Sequence, residues 1–249
     1  MERITSRQNK LMQHIRKLQS SRSYRYQCGQ FVAEGTKLLD EAVRWYEGLD
    51  TVVVQDGVTV SVPDRVRVVE VPVDLMRSIS NMDTPQGALF ICNMPEQAEV
   101  DMQGGCLVLD GIQDPGNLGT ILRTADALEI PVYLTEGCAD PYSDKTVRAT
   151  MGAVFRCPVW NCDADALRAL LTASELPLYG AALRADTLDA RTVDYSRCAI
   201  AIGSEGKGLS EAMLDRCDQT VLIPMQAHCE SLNAAIAATV LLWEAARND

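Results

Sequence analysis

The sequence predicts a two-part α/β protein: a small α/β domain at residues 1–95, a linker at 96–104, and a larger domain at 105–249 built on a mostly parallel sheet. Three observations predict it. Short apolar runs alternate with segments of helical period along nearly all 249 residues. The later runs are apolar on both faces and each is followed by a helix, which is the pattern of a sheet covered on both sides. Between the two series lies the polar stretch NMPEQAEVDMQG, with Pro95 inside it and Gly104-Gly105 at its end, which reads as a linker.

In the first part, RQNKLMQHIRKLQS (7–20) sets Leu11, His14, Ile15 and Leu18 at helical spacing, with the opposite face basic. His14 falls on the apolar side and is expected to pack. QFVAEGTKLLDEAVRWY reads as a short strand, a junction at Glu34-Gly35, and a helix that buries Leu38, Leu39, Ala42, Val43 and Trp45. TVVVQ (51–55), VRVVEV (66–71) and GALFIC (87–92) are strand-like, and DLMRSIS (74–80) is a short helix.

In the second part, CLVLD, PVYLT, RCPVW, PLYGAAL, CAIAIG and TVLIP are the strands. LGTILRTADALE, SDKTVRATMG, ADALRALLTAS, GLSEAMLDRC and a final Ala-rich segment are the helices. Ligands of such sheets bind beyond the carboxyl ends of the strands, where three loops stand out. In DGIQDPGNLGTILRTADAL, Asp114-Pro115-Gly116 makes a turn, Asn117 is placed to cap a helix, and Arg123 follows about one turn later. An arginine beside a helix N-terminus suits a phosphate, although a capped turn with a surface arginine reads the same way. IGSEGKGLS carries three glycines in six positions, a loop that passes close to something, with Glu205 and Lys207 on it. In IPMQAHCESLN, Pro224 stops a strand and Ser231 is placed as the N-cap, with Leu232 and Asn233 in the first turn. Neither a dinucleotide fingerprint nor a P-loop is present.

The formal charge is −11, which alone argues against a nucleic-acid partner. Its distribution does not: residues 1–26 hold Arg3, Arg7, Lys10, Arg16, Lys17, Arg22 and Arg25 against Glu2 alone. That run is either a solvated helix face or a phosphate-contacting arm on an acidic body. The nine scattered cysteines, an odd number, read as reduced buried thiols of a cytoplasmic protein. No signal peptide and no membrane span are expected, and two histidines without a CxxC pair argue against a metal site.

NLGTILRTADAL, IGSEGKGLS and IPMQAHCESLNAAIA, in that order and spacing, resemble the three successive motifs of the SpoU (TrmH-type) RNA ribose 2′-O-methyltransferases, over about residues 105–246. DPYSDKTVRATMGAVFRCPV is similar to the family's segment between its first two motifs. ITSRQNKLMQHIRKL, FVAEGTKLLDEA and TPQGALFIC resemble the RNA substrate-binding domain commonly fused in front. Ala234-Ala235 replace a commoner Val-Ser, and His228-Cys229 stand in a usually small-residue loop.

The resemblance implies a catalytic domain with a C-terminal trefoil knot, bound S-adenosylmethionine, and a homodimer whose active site is completed across the interface. It implies cofactor contacts at Gly203, Ile223 and Leu232, with Met225 adjacent, and a catalytic set of Asn117, Arg123, Glu205, Ser231 and Asn233. Ribosomal RNA is the expected substrate because of the fused domain, with Arg7, Lys10, Arg16, Lys17, Arg22 and Arg25 as its phosphate contacts. Transfer RNA, or a non-catalytic RNA-binding scaffold with the same fold, are the alternatives. Methyl transfer to a ribose hydroxyl needs two reactants held at near-attack distance and a route for the hydroxyl proton. A guanidinium holds its proton tightly, so Arg123 is expected to bind the adjacent phosphate and orient the hydroxyl, steadied by Asn117 and Glu205.

Overall fold

The structure is a computed structural model that describes residues 2–96, 104–226, 228–229 and 231–247. Residues 97–103 of the expected linker lie outside the described residues. The chain forms two compact units, residues 1–96 with 142–156, and residues 97–141 with 157–249.

Unit 1 runs β1 (Glu2–Arg3), α1 (Lys10–Ser20), α2 (Arg22–Cys28), β2 (Gln30–Glu34), α3 (Thr36–Trp45), β3 (Leu49–Gln55), β4 (Arg67–Val71), α4 (Val73–Ile79) and β5 (Ala88–Asn93). The strands form one sheet, β1-β4-β3-β5-β2, parallel on one side of β3 and antiparallel on the other. Side chains alternate across it with period two. Val32, Val53, Leu89 and Ile91 face a core shared with Met12, Ile15, Leu18, Leu75 and Met76, so α1 and α4 cover that face. Phe31, Val52, Val54 and Phe90 face a second core with Leu38, Leu39 and Ala42 of α3.

That second face is completed from far along the chain. Residues 142–156 add helix α6 (Asp144–Thr150) and a 3-10 turn, Ala153–Phe155. The Phe155 ring lies 5.3 Å from Tyr46 and 6.3 Å from Phe90, and Tyr142 lies 5.0 Å from Phe31. SDKTVRATMG, expected among the helices of the larger sheet, instead packs in unit 1, because alternation along a chain cannot tell which sheet a helix covers. Phe155→Ala is expected to destabilise unit 1 by roughly 3–5 kcal/mol, the range for deleting a buried ring, as measured by chemical denaturation. A loss under about 1 kcal/mol would detach 142–156 from this core.

Three smaller corrections apply to unit 1. Met12, not Leu11, is fully buried on α1. His14 is half-buried, its ring nitrogens 2.9 Å from the Tyr24 hydroxyl and from the Gln30 carboxamide oxygen. Trp45 is exposed and has the Arg156 guanidinium above its ring, because α3 ends there and turns it outward.

Unit 2 runs β6 (Cys106–Asp110), α5 (Pro115–Ala127), β7 (Val132–Leu134), β8 (Val159–Asn161), α7 (Ala164–Ala173), β9 (Leu178–Ala181), β10 (Leu188–Asp189), β11 (Ala199–Gly203), α8 (Glu211–Leu214), β12 (Gln219–Leu222) and α9 (Ala234–Ala246). Its seven strands are parallel throughout, in the order β10-β12-β9-β11-β6-β7-β8. Leu107, Leu109, Ile200 and Ile202 face α5 and α9, whereas Val108, Ala199 and Ala201 face α7 and α8. Both faces are dry, which is why these strands read as unbroken apolar runs. All nine cysteines are free, and burial pushes the Cys106 and Cys198 thiols up to about 12, so they stay protonated packing groups.

Candidate functional site

β6, β11 and β12 end on one edge of the parallel sheet, with Gly203 paired in register to Asp110. The loops that leave those ends meet. The Asn117 amide donates to Glu205 Oε1 at 2.7 Å, and the Asn233 amide donates to Asn117 Oδ1 at 3.0 Å. The Asn233 amide also donates to Glu205 Oε1, and the Ala234 N–H reaches the same oxygen at 3.4 Å. One carboxylate oxygen thus gathers residues 88 and 28 positions away in sequence.

Each loop has a local reason to stand there. The β11 loop closes on itself: Ser204 N–H donates to the Gly208 carbonyl at 3.0 Å, and Gly208 N–H returns to Ser204 at 2.8 Å. This brings backbone so close to Gly203 that a Cβ there would overlap the Gly208 carbonyl carbon and the Leu209 nitrogen. Gly208 itself has φ +68°, which suits glycine. The loop is tied to the sheet by Asp110, which the sequence reading missed. Its buried carboxylate accepts from the Thr135 hydroxyl and from the Ser210 N–H, each at 2.7 Å. An acidic residue closing an otherwise apolar strand was the available signal.

Two caps differ from expectation. α5 begins earlier than expected: Asp114 caps it, accepting from the Asn117 N–H at 2.8 Å, with Pro115 in the first turn. Asn117 therefore sits inside the helix with its side chain free for Glu205. α9 begins later: its N-cap is Asn233, not Ser231, with Oδ1 accepting from Ala235 and Ile236 N–H at 3.0 and 3.2 Å. A carboxamide can cap with its oxygen while its nitrogen reaches Glu205; a serine hydroxyl offers one atom for both tasks. Removing the cap costs about 1 kcal/mol of helix stability in general.

Beside this cluster lies a cavity of about 340 Å³. Gly203, Ile223, Met225 and Leu232, the four expected cofactor residues, all line it, together with Glu205 and Ser231. Its size falls in the usual range for small-ligand sites, about 300–1,000 Å³. Leu183, which was not anticipated, also lines it while lying largely exposed. Among the described residues no group of His, Cys, Asp and Glu is arranged to hold a metal ion.

Arg123 is not part of the cluster. It lies more than two turns into α5, not one, because the helix starts at Pro115. Six residues separate it from Asn117, about 240° around the helix axis. It is exposed and, among the described residues, makes no side-chain hydrogen bond or ion pair. Neither Asn117 nor Glu205 steadies it, since both are engaged with each other and with Asn233.

The basic set on unit 1 also needs one correction. Arg25 is buried, and its guanidinium donates to the Leu18 and Gln19 carbonyls at 2.5 and 3.3 Å, closing the end of α1. Lys10, Lys17 and Arg22 are exposed, the last two lying over the Tyr24 and Tyr26 rings. Arg7 stands 3.7 Å from Asp74, and Arg16 donates to the Arg7 carbonyl at 2.9 Å. Unit 1 carries fifteen Lys and Arg against thirteen Asp and Glu, unit 2 eight against twenty-one, so the acidity of the chain belongs to unit 2.

The SpoU rRNA Methylase family matches residues 105–243, and the MRM3-like substrate binding domain matches residues 9–89. Over 98% of both chains the protein is 30% identical to 23S rRNA (guanosine(2553)-2'-O)-methyltransferase RlmP of Bacillus subtilis (strain 168). An AdoMet-bound rRNA methyltransferase from Sinorhizobium meliloti superposes with a TM-score of 0.87 at 30% identity, covering 99% of this chain and 97% of that one. A structure described as a putative RNA methyltransferase of the TrmH family from Porphyromonas gingivalis gives 0.85 at 34%, covering 95% and 97%. The three motif loops that meet at Glu205, the cavity beside them and these matches lead to one assignment: the chain belongs to the SpoU rRNA methylase family.

Proposed function

We propose that the protein transfers the methyl group of S-adenosylmethionine to a ribose 2′-hydroxyl of ribosomal RNA. The observation that carries this reading is the convergence of Asn117 and Asn233 on Glu205, which itself lines the 340 Å³ cavity. When bound, S-adenosylmethionine would supply a sulfonium methyl to the ribose oxygen and depart as the neutral thioether S-adenosylhomocysteine, with the hydroxyl proton passing to water. Ile223, Met225 and Leu232 provide the apolar walls for adenine and ribose, and Gly203 lets the Gly208–Leu209 backbone close against the strand end beside them. Asn117, Glu205 and Asn233 form a rigid polar platform beside the reacting atoms, and exposed Ser231 on its rim anchors the sugar–phosphate. Arg123 binds the phosphate next to the target ribose and orients the hydroxyl.

The fifth member of this set reaches the reaction in a symmetric dimer. α5 and α9 pack together, with Thr124 and Thr239 hydroxyls 3.1 Å apart. α9 is apolar except for Thr239 and Glu244, and Ile236, Val240 and Trp243 form an exposed stripe along it at helical spacing, with Trp243 62% exposed. A two-fold interface over this stripe covers it and carries each Arg123 toward the partner's cavity. The native chain is expected to sediment as a dimer, and Trp243→Glu as a monomer of 27.3 kDa with greatly reduced methyl transfer. A native monomer at micromolar concentration would remove the interface. The same family reading gives unit 2 a trefoil knot, supported by β12 entering the sheet between the earlier strands β10 and β9.

The division of labour assigns RNA binding to the N-terminal domain and methyl transfer to 105–249, with ribosomal RNA favoured by the match of residues 9–89 to a substrate binding domain. The free thiols suit the cytoplasm. The deciding experiment is radiolabelled methyl transfer onto total RNA from a strain that lacks the protein. Label in large ribosomal RNA at a 2′-O position is the expected result. Label confined to transfer RNA, or none despite calorimetric binding of the cofactor, would replace this substrate.

A further inference from the structure

Unit 1 has a cleft that nothing in the methyl-transfer geometry uses. Glu34 lines it from the end of β2, Lys37 and Leu38 from the start of α3, Met82 and Gln86 from the loop after α4, and Met151 from the end of α6. Its volume, about 390 Å³, is that of a small-ligand site.

Its chemistry is mixed in a particular way. Leu38, Met82 and Met151 supply apolar wall. Met151 is held at φ +51° while its side chain is 61% exposed. A non-glycine residue in that region costs on the order of 1 kcal/mol, and no packing of its own side chain offsets the cost. Glu34 is only 4% exposed, accepts from the Ser80 hydroxyl and from the Asn81 N–H at 3.3 Å, and keeps lone pairs free. The Lys37 and Gln86 side chains make no hydrogen bond or ion pair among the described residues. Arg148, by contrast, is held by Asp144 at 2.5 Å. Gly35 is what admits Gln86, since a Cβ there would lie 2.8 Å from its Oε1.

Apolar faces with an acceptor at one edge and a cation at another match a nucleotide taken out of its stack: thioether and leucine against the base, ammonium against the phosphate. A buried carboxylate accepts best from an amino group, as glutamate does from cytosine N4. We propose that this cleft receives one unstacked base bearing an exocyclic amino group from the RNA substrate, with Glu34 accepting from that amino group and Lys37 on the phosphate. The assignment rests on the RNA reading above, and the net basic charge of unit 1 favours it.

The test uses the full chain labelled with methyl-13C methionine and titrated with AMP, CMP, GMP and UMP. Amino-bearing nucleotides are expected to shift the Met82 and Met151 methyl signals, and CMP and GMP to do so with Met225, on the adenine wall of the cofactor cavity, unmoved. UMP is expected to bind at least tenfold more weakly. Lys37→Glu, at an exposed first-turn position where acid favours the helix, should weaken AMP, CMP and GMP at least tenfold. Arg44→Glu, the same charge change in the last turn of α3 outside the cleft, should not. Silence at both methionines with every nucleotide overturns the site. Equal weakening by Arg44→Glu overturns the contact of Lys37, and equal binding of UMP overturns that of Glu34. The readout needs neither cofactor nor turnover, so its failure stands apart from a failure of methyl transfer.

Discussion

Gly203→Ala is expected to weaken S-adenosylmethionine binding about a hundredfold, the upper end of the 1–3 kcal/mol that overpacking a filled site typically costs. The new methyl has nowhere to go. It meets the Gly208 carbonyl carbon and the Leu209 nitrogen, which are backbone atoms and not the far end of a flexible chain. The 204–208 turn must open, losing its two backbone hydrogen bonds and carrying Glu205 away from Asn117 and Asn233. Calorimetric titration measures the first effect, and a single-turnover methylation rate should fall further than affinity does. Unchanged cofactor affinity would mean that the turn is not part of the binding site.

Arg123→Ala should behave oppositely. The side chain is exposed and makes no hydrogen bond or ion pair among the described residues, so its loss should leave the melting temperature and cofactor affinity unaltered. Methyl transfer should fall by roughly 10²–10⁴, the range for removing a group that acts on the proton or the developing charge. Mixing Arg123→Ala chains with Gly203→Ala chains separates the two roles. If each arginine serves the partner's cavity, mixed dimers hold one intact site and regain part of the activity. No recovery in a confirmed heterodimer would place Arg123 in the site of its own chain.

The parallel sheet was legible because its physics is written locally: CLVLD and CAIAI are dry on both faces, and no polar residue interrupts them. The three loops were legible because glycine, proline and asparagine are enriched where backbone turns sharply or ends a helix. What escaped was set by tertiary contact. Ser231 and Asn233 are both good caps, and only the position of Glu205 decides between them. Asp110 looked like the end of a strand, and its two partners come from positions 135 and 210. Arg25 belonged to a basic run, yet the end of α1 took it inside. SDKTVRATMG has helical period in either unit, and aromatic partners at 31, 46 and 90 decided which.

That last placement has a consequence for biosynthesis. The ribosome releases residues 1–96 long before Phe155, so the first sheet waits with the face of Phe31 and Phe90 covered by α3 alone. At translation rates of roughly 5–20 residues per second the wait lasts some seconds, long enough for a chaperone to find that face. Nascent chains halted at residue 96 should therefore stay protease-sensitive, and only those extended past 156 should acquire resistance.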